Sequence, residues 1–127
     1  MRTSVVVLTF GRPDALALVL RGLARQTELP LEVVVTEDGA APEARECVER
    51  ARERFPVPLV HLTQEHRGPR MSRARNRGIA SAGGEYLVFL DGDMVPARAF
   101  VEDHRAFARR NVHGVSKHVR DWIPRFP

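Results

Sequence analysis

The sequence predicts a doubly wound α/β fold, in which helices cover both faces of a mainly parallel sheet. Four short apolar runs rich in valine and leucine alternate with four segments of helical character. Continuous apolar runs indicate strands that are buried on both faces, as parallel strands between helices are. Repeated alternation of strand and helix therefore favours a parallel sheet with right-handed crossovers.

The bounds of these segments follow from residue type and spacing. The strands are predicted at Thr3 to Thr9, Glu32 to Thr36, Val57 to Leu62 and Tyr86 to Leu90. The first two helices show apolar residues three and four positions apart, and each begins near a proline, which a first helical turn tolerates. The helices are predicted after Pro13, after Pro42, from Met71 to Ala82, and from Ala97 to Arg110, the last opened by Pro96.

Composition and charge narrow the class of protein. A chain of 127 residues with 43% hydrophobic and 28% charged residues is typical of one globular domain. No apolar run approaches the roughly 20 residues of a membrane span. The net charge of +4 fits a phosphorylated ligand or an anionic membrane surface. Basic residues are not interleaved with aromatic ones, so a nucleic-acid partner is not expected.

The residues that follow each strand are the candidates for chemistry, because open α/β sheets bind ligands at the carboxyl ends of their strands. These residues combine carboxylates and arginines, which suits a metal-bound phosphate ligand. The first strand is followed by Gly11 alone, without the glycine pattern of a dinucleotide site, so phosphates must be held by a metal ion and arginines. The strand ends are Thr9 to Arg12, Glu37 to Gly39, Gln64 to Gly68 and Asp91 to Asp93.

Two of these strand ends carry the acidic residues of greatest interest. Asp91 and Asp93 follow a strongly apolar strand, and two carboxylates separated by a glycine can hold a hard divalent ion. The alternative is a plain turn, since Asp-Gly is a common turn dipeptide. Asp38 can accept a hydrogen bond from a base N–H, or it can be a turn or cap residue before the next helix. Arg70 and Arg75 suit bidentate recognition of phosphate.

Taken together and in order, these motifs resemble the nucleotide-binding subdomain of the family 2-like inverting glycosyltransferases, which have the GT-A fold. The spacing after Gly68 and the Asp-Gly-Asp-Met sequence look most like the branch related to chondroitin-type polymerases and the galactosyltransferase group. The matching stretches are Ser4 to Pro13, Glu32 to Gly39, Gly68 to Ile79 and Gly83 to Pro96.

The resemblance implies roles for individual residues. Those implied to bind the nucleotide or donor sugar are Thr9, Arg12, Asp38, Arg70, Arg75 and Asp91, and Asp93 is implied to ligate Mn or Mg. Residues 1–110 would form the nucleotide-sugar-binding subdomain, and residues 111–127 would begin an acceptor-side segment or tail. Two features depart from the family: Ala40 stands where a serine is usual, and nothing in residues 111–127 matches the catalytic carboxylate of the family's acceptor-binding half. Asp121 is the only acid in that tail, so the catalytic base is not identified.

The resemblance also implies an activity. It is the metal-assisted, inverting transfer of a sugar from a nucleoside-diphosphate sugar, with UDP expected as the nucleotide, to a saccharide, lipid-linked or other hydroxyl acceptor. We expect a cytoplasmic protein, and a peripheral position at the inner membrane face is an alternative. Homo-oligomerisation is left open. One alternative is a non-catalytic nucleotide-sugar-binding module. Another is a haloacid-dehalogenase-like phosphohydrolase with Asp91 as nucleophile and Asp93 as acid.

Overall fold

The computed structural model describes residues 2–68 and 70–108, and strands and helices alternate there as the sequence predicts. The segment 111–127, predicted to begin an acceptor-side part, lies outside the described residues. The elements are β1 (Thr3–Thr9), α1 (Pro13–Ala24), β2 (Glu32–Glu37), α2 (Pro42–Arg52), β3 (Leu59–Leu62), α3 (Met71–Ser81), β4 (Tyr86–Asp91) and α4 (Phe100–Phe107).

The sheet has the strand order β3-β2-β1-β4, and all three neighbouring pairs are parallel. The predicted parallel sheet is therefore confirmed for the described residues. Strand β1 is central, since Val6 pairs with Val34 on one side and Phe89 on the other. The chain moves outward from β1 to β3 and then returns to the opposite side of β1. The carboxyl ends of β1 and β4 thus flank the topological switch point, where α/β sheets bind ligands.

Both faces of the sheet are covered, as a doubly wound fold requires. On one face, Val5 and Val7 belong to a core that also contains residues of α1, α2 and α4. On the other face, Val6 and Leu8 pack with Met71, the first residue of α3. All seven residues of β1 are buried. Full burial of a valine or leucine side chain contributes roughly 1.5–3 kcal/mol, so this strand anchors both layers.

Helix α4 begins at Phe100, so its predicted start at Ala97 is wrong. The cause is the buried side chain of Gln26, which lies just after α1. Its Nε2 donates to the carbonyl of Ala97 at 2.7 Å, and its Oε1 accepts from the N–H of Val101 at 2.8 Å. In a helix that began at Ala97 these two backbone groups would bond to each other. Gln26 replaces that bond, and the helix starts later.

Helix α4 ends at Phe107, three residues before its predicted end at Arg110, and the other predicted boundaries differ from the structure by two residues or fewer. Strand β3 begins at Leu59 instead of Val57, because Pro58 has no N–H to donate to a ladder. Pro13 and Pro42 occupy the first turns of α1 and α2, as predicted. In the described part of the chain, no helix has the length and hydropathy of a membrane-spanning segment.

Substitution of Gln26 by alanine should destabilise the protein by about 2 kcal/mol, because it leaves the buried N–H of Val101 without its partner. Urea unfolding at neutral pH measures the effect. The exposed neighbour Arg25 provides the control, since Arg25→Ala should shift the free energy of unfolding by less than about 0.5 kcal/mol. Equal urea midpoints for the parent and Gln26→Ala would show that Gln26 does not anchor α4.

Candidate functional site

The last two carbonyl groups of β1 hold the acidic loops that follow its neighbouring strands. The carbonyl of Leu8 accepts a hydrogen bond from Gly92 N–H at 2.7 Å, and that of Thr9 accepts one from Asp38 N–H at 3.0 Å. Gly92 is required here because a Cβ at this position would lie 2.9 Å from the oxygen of Leu8 and from the Cβ of Thr9. The glycine of the Asp-Gly-Asp motif therefore serves close approach to β1.

An open cleft of about 510 Å³ lies at this point, between the ends of β1 and β4. It brings together four of the residues singled out by the sequence, namely Thr9, Arg12, Asp91 and Asp93. Arg12 comes from the loop that enters α1, where Gly11 turns the chain with a φ of 63°. Asp91 is exposed and Asp93 is half-buried, so both carboxylates can meet a ligand from solvent.

The cleft carries more negative than positive side chains. In the part of the chain that the structure describes, its carboxylates are those of Asp14, Asp91 and Asp93, and its guanidinium is that of Arg12. Arg12 Nε donates to Asp14 Oδ1 at 3.3 Å, and this hydrogen bond lowers the pKa of the Asp14 carboxyl. The Nη2 group of Arg12 is buried and has no hydrogen-bond partner among the described residues. A cationic donor is thus available in an otherwise acidic cleft.

Asp38 lies beside the cleft at the end of β2, and its side chain is only 2% exposed. One oxygen accepts from Gln64 Nε2 at 3.0 Å, while the other accepts from the N–H of Arg70 and faces His66 Nδ1, both at 3.1 Å. Burial raises the pKa of this carboxyl, but the hydrogen bonds outweigh burial and leave the pKa below its usual value. Asp38 therefore organises the β3–α3 loop as an ionised acceptor.

The preceding acid, Glu37, supports the turn between β2 and α2. Its Oε1 lies 3.0 Å from His61 Nε2, and its Oε2 accepts from the N–H of Ala41 at 2.9 Å. Glu37 is 2% exposed, so it contacts the protein and not the cleft. Glu37 supports the turn into α2, and Asp38 connects β2 to the loop before α3.

Arg70, at the start of α3, and Arg75, within α3, have different surroundings. Arg70 is half-buried at the start of α3, and its backbone N–H bonds to Asp38. Arg75 lies one turn later, with its guanidinium 5.3 Å from the centre of the Phe89 ring in β4. This cation–π contact is on the α3 face of the sheet. Arg70 is thus held at the site, whereas the nucleotide contact predicted for Arg75 stays a prediction.

The sequence placed Phe10 and His66 among the candidate strand-end residues but indicated no role for either side chain. Phe10 directly follows β1 and is 53% exposed, and its ring stacks on His66 with ring centres 4.5 Å apart. Gln64 was also missed as a partner of Asp38. The sequence did offer a signal for Phe10, because it is a large apolar residue at a strand end where ligands bind. The pairing with His66 joins residues that are 56 positions apart in the sequence and has no local signature.

The acidic pair fits a divalent ion that the ligand itself helps to coordinate. Among the described residues no group of three or more His, Cys, Asp or Glu side chains could hold a metal by itself. Mg²⁺ is commonly held through one or two carboxylates together with substrate phosphates and water. Asp93, with Asp91 beside it, supplies that number of carboxylates, and they are the hard oxygen ligands such ions prefer.

Replacement of Asp38 by asparagine should lower the free energy of unfolding by about 2 kcal/mol at neutral pH, because an amide cannot accept from every donor that faces the carboxylate. The folded state favours the ionised form, so this contribution is present above the usual pKa of 3.8 and is lost as the pH falls through the lower folded value. Urea unfolding of parent and variant should show a constant difference down to about pH 4 and a smaller one below it.

Glu53→Gln is the control for this substitution, since Glu53 is an exposed carboxylate at the end of α2. It should leave stability near the parent value throughout the same pH range. If the difference between the parent and Asp38→Asn grew in acid, the pKa of Asp38 would have to be higher in the folded protein than in the unfolded chain.

Comparison with known proteins identifies the family to which the chain belongs. The family model for glycosyl transferase family 2 matches residues 4–125. The chain is 33% identical over 104 residues to hyaluronan synthase of Pasteurella multocida, an alignment that covers 81% of this chain and 10% of the relative.

Two solved structures share the fold, as predicted. The first is S. aureus TarS 1–349 in complex with UDP-GlcNAc, with a TM-score of 0.72 and 27% identity, covering 92% of this chain and 37% of that one. The second is the mannosyltransferase PcManGT from Pyrobaculum calidifontis with GDP-Man and Mn²⁺, with a TM-score of 0.67 and 27% identity, covering 76% and 29%. The chain thus spans less than half of each of these proteins.

The phosphohydrolase alternative is excluded by the position of the motif. That alternative requires Asp91 on the first strand of its fold, whereas here Asp91 ends the fourth strand in chain order. The parallel sheet, the acidic cleft at its switch point and the match along most of the sequence agree with one another, and the chain belongs to glycosyl transferase family 2.

Proposed function

We propose that this chain binds the nucleoside-diphosphate sugar donor of a glycosyl transfer reaction in the cleft between β1 and β4. The observation that carries the proposal is the convergence of Thr9, Arg12, Asp91 and Asp93 on that one cleft. The whole protein would transfer the sugar to the hydroxyl of a saccharide, lipid-linked or other acceptor, with inversion at the anomeric carbon. The non-catalytic module remains the alternative, and it would use the same cleft for the same ligand.

Charge balance supports a metal ion at the diphosphate. Among the described residues, three carboxylates and one guanidinium line the cleft, so a diphosphate placed there alone would meet net repulsion from them. Asp93 would hold the Mn or Mg ion, with Asp91 near the ribose or donor sugar. The ion supplies neutralisation of the negative charge on the nucleoside diphosphate as it leaves. The buried Nη2 of Arg12, which lacks a partner among the described residues, is the protein donor best suited to a phosphate oxygen.

The nucleoside would lie toward the ends of β1 and β2. Asp38 holds the backbone of Arg70 there, and we propose that this order positions the Arg70 side chain over the nucleotide. A direct contact between Asp38 and the base stays a prediction, since three donors already face its two oxygens. Uridine is the expected base. Because TarS was crystallised with UDP-GlcNAc and PcManGT with GDP-Man, both bases belong in the test.

Titration calorimetry tests the proposal. UDP and, in a second series, GDP are each titrated into the chain in the presence of Mn²⁺ and in the presence of a chelator. We expect UDP to bind in Mn²⁺ and to bind at least tenfold more weakly in the chelator. Asp93→Asn keeps the size of the side chain and removes its charge, so it should weaken Mn²⁺-dependent binding about tenfold or more. The reason is that a lost charge-assisted interaction costs roughly 1.5–3 kcal/mol.

Asp103→Asn is the matched control, because Asp103 is an exposed carboxylate on α4 and does not line the cleft. It should bind UDP as the parent does. Equal UDP affinity in Mn²⁺ and in chelator would contradict the metal bridge. Parent-like binding by Asp93→Asn would reduce Asp93 to a turn residue.

A further inference from the structure

His66 joins the aromatic and acidic parts of the site and has no role in the function proposed so far. It lies in the loop between β3 and α3, and its side chain is 40% exposed. The ring stacks on Phe10, with ring centres 4.5 Å apart and planes inclined by 22°. On its other side, Nδ1 lies 3.1 Å from Asp38 Oδ2. One side chain thus contacts the loops that follow β1 and β2.

The hydrogen bond to Asp38 fixes the orientation of the imidazole. An ionised carboxylate only accepts hydrogen bonds, so Nδ1 must carry the proton and donate it. Asp38 is itself held by Gln64 and by the backbone of Arg70, and it is 2% exposed. A tethered ring has fewer accessible orientations than a free one. The imidazole is therefore a fixed surface against which a neighbouring ring can rest.

That neighbouring ring, Phe10, lines the same cleft as Asp91 and Asp93. Its side chain is 53% exposed although the residue is strongly apolar. An exposed phenyl group with no ring partner would move between rotamers and would lose that freedom when a ligand stacked on it. The stack with His66 holds Phe10 before the ligand arrives. Its exposed face remains open to another planar group.

We infer that His66 is a positioning residue for the nucleobase, acting through Phe10. By donating to Asp38 and stacking on Phe10, it holds the phenyl ring at the rim of the cleft as a surface on which the base stacks. This inference rests on the proposed function, because it names the residue that prepares the base subsite of the donor. It assigns His66 no contact with the diphosphate or the metal ion.

The inference separates two ligands that share the phosphate part and differ in the base. UDP has both parts, and inorganic pyrophosphate has only the phosphates. His66→Ala should weaken binding of UDP about fivefold to tenfold in Mn²⁺, within the range expected for stacking interactions. It should leave the affinity for pyrophosphate unchanged. Titration calorimetry of both ligands with parent and variant measures this difference.

Two further variants separate positioning from a merely structural role. His66→Asn keeps a donor for Asp38 and removes the ring, so its stability to urea should match the parent while UDP affinity falls as in His66→Ala. Phe10→Ala should also lower UDP affinity. In the Phe10→Ala background, adding His66→Ala should cause less than a twofold further loss, because the ring that His66 positions is already absent.

The possible failures are distinguishable. If the parent binds neither UDP nor GDP in Mn²⁺, the proposed function fails, and the role of His66 fails with it. If the parent binds UDP and His66→Ala binds it equally well, only the role of His66 is overturned. Equal losses for UDP and pyrophosphate, full UDP affinity in His66→Asn, or independent losses in the double variant would each overturn it too.

Discussion

Two hydrogen bonds at the end of β1 determine the arrangement of the site. The carbonyl of Leu8 holds Gly92, and the carbonyl of Thr9 holds Asp38, so the loops after β4 and β2 are fixed to the same strand end. Strand β1 can serve this purpose because it is buried on both faces and paired on both sides. Any shift in its register would move both acidic loops. The geometry of the cleft is thus a consequence of the sheet order.

The same arrangement divides the acidic residues into two groups with different physical tasks. Glu37 and Asp38 are buried and face internal partners, so their charges are used within the protein. Asp91 and Asp93 line an open cleft and remain accessible. An accessible acidic pair attracts a cation, and a cation allows a diphosphate to approach. The buried pair instead gives the surrounding loops a defined shape before any ligand binds.

The sequence predicted most of the fold because local signals agreed with the global pattern. β-branched runs and helical spacing located all eight elements, and prolines marked the first turns of α1 and α2. The start of α4 was missed because Gln26, distant in sequence, bonds the backbone groups that would otherwise begin the helix. Such an interaction leaves no local periodicity to detect.

The site was predicted to a similar extent. Strand-end position brought Thr9, Arg12, Asp91 and Asp93 into consideration, and all four meet in one cleft. What the sequence could not provide was the state of each side chain after folding. The hydrogen bonds of Asp38 and the stacking of Phe10 on His66 arise between loops that only the tertiary fold brings together.

The central claim is that a divalent ion is held at Asp93 together with a nucleoside diphosphate. Nuclear magnetic resonance of the ¹⁵N-labelled chain with UDP and a trace of paramagnetic Mn²⁺ tests it most directly. The amide signals of Gly92 and Asp93 should broaden first. The amide signals of Gly83 and Gly84 should persist, because these residues lie before β4, at the opposite end of the strand. The rise of an extended strand puts them roughly 20 Å away from the metal site. Broadening centred on any other part of the chain, or none in the presence of UDP, would contradict it.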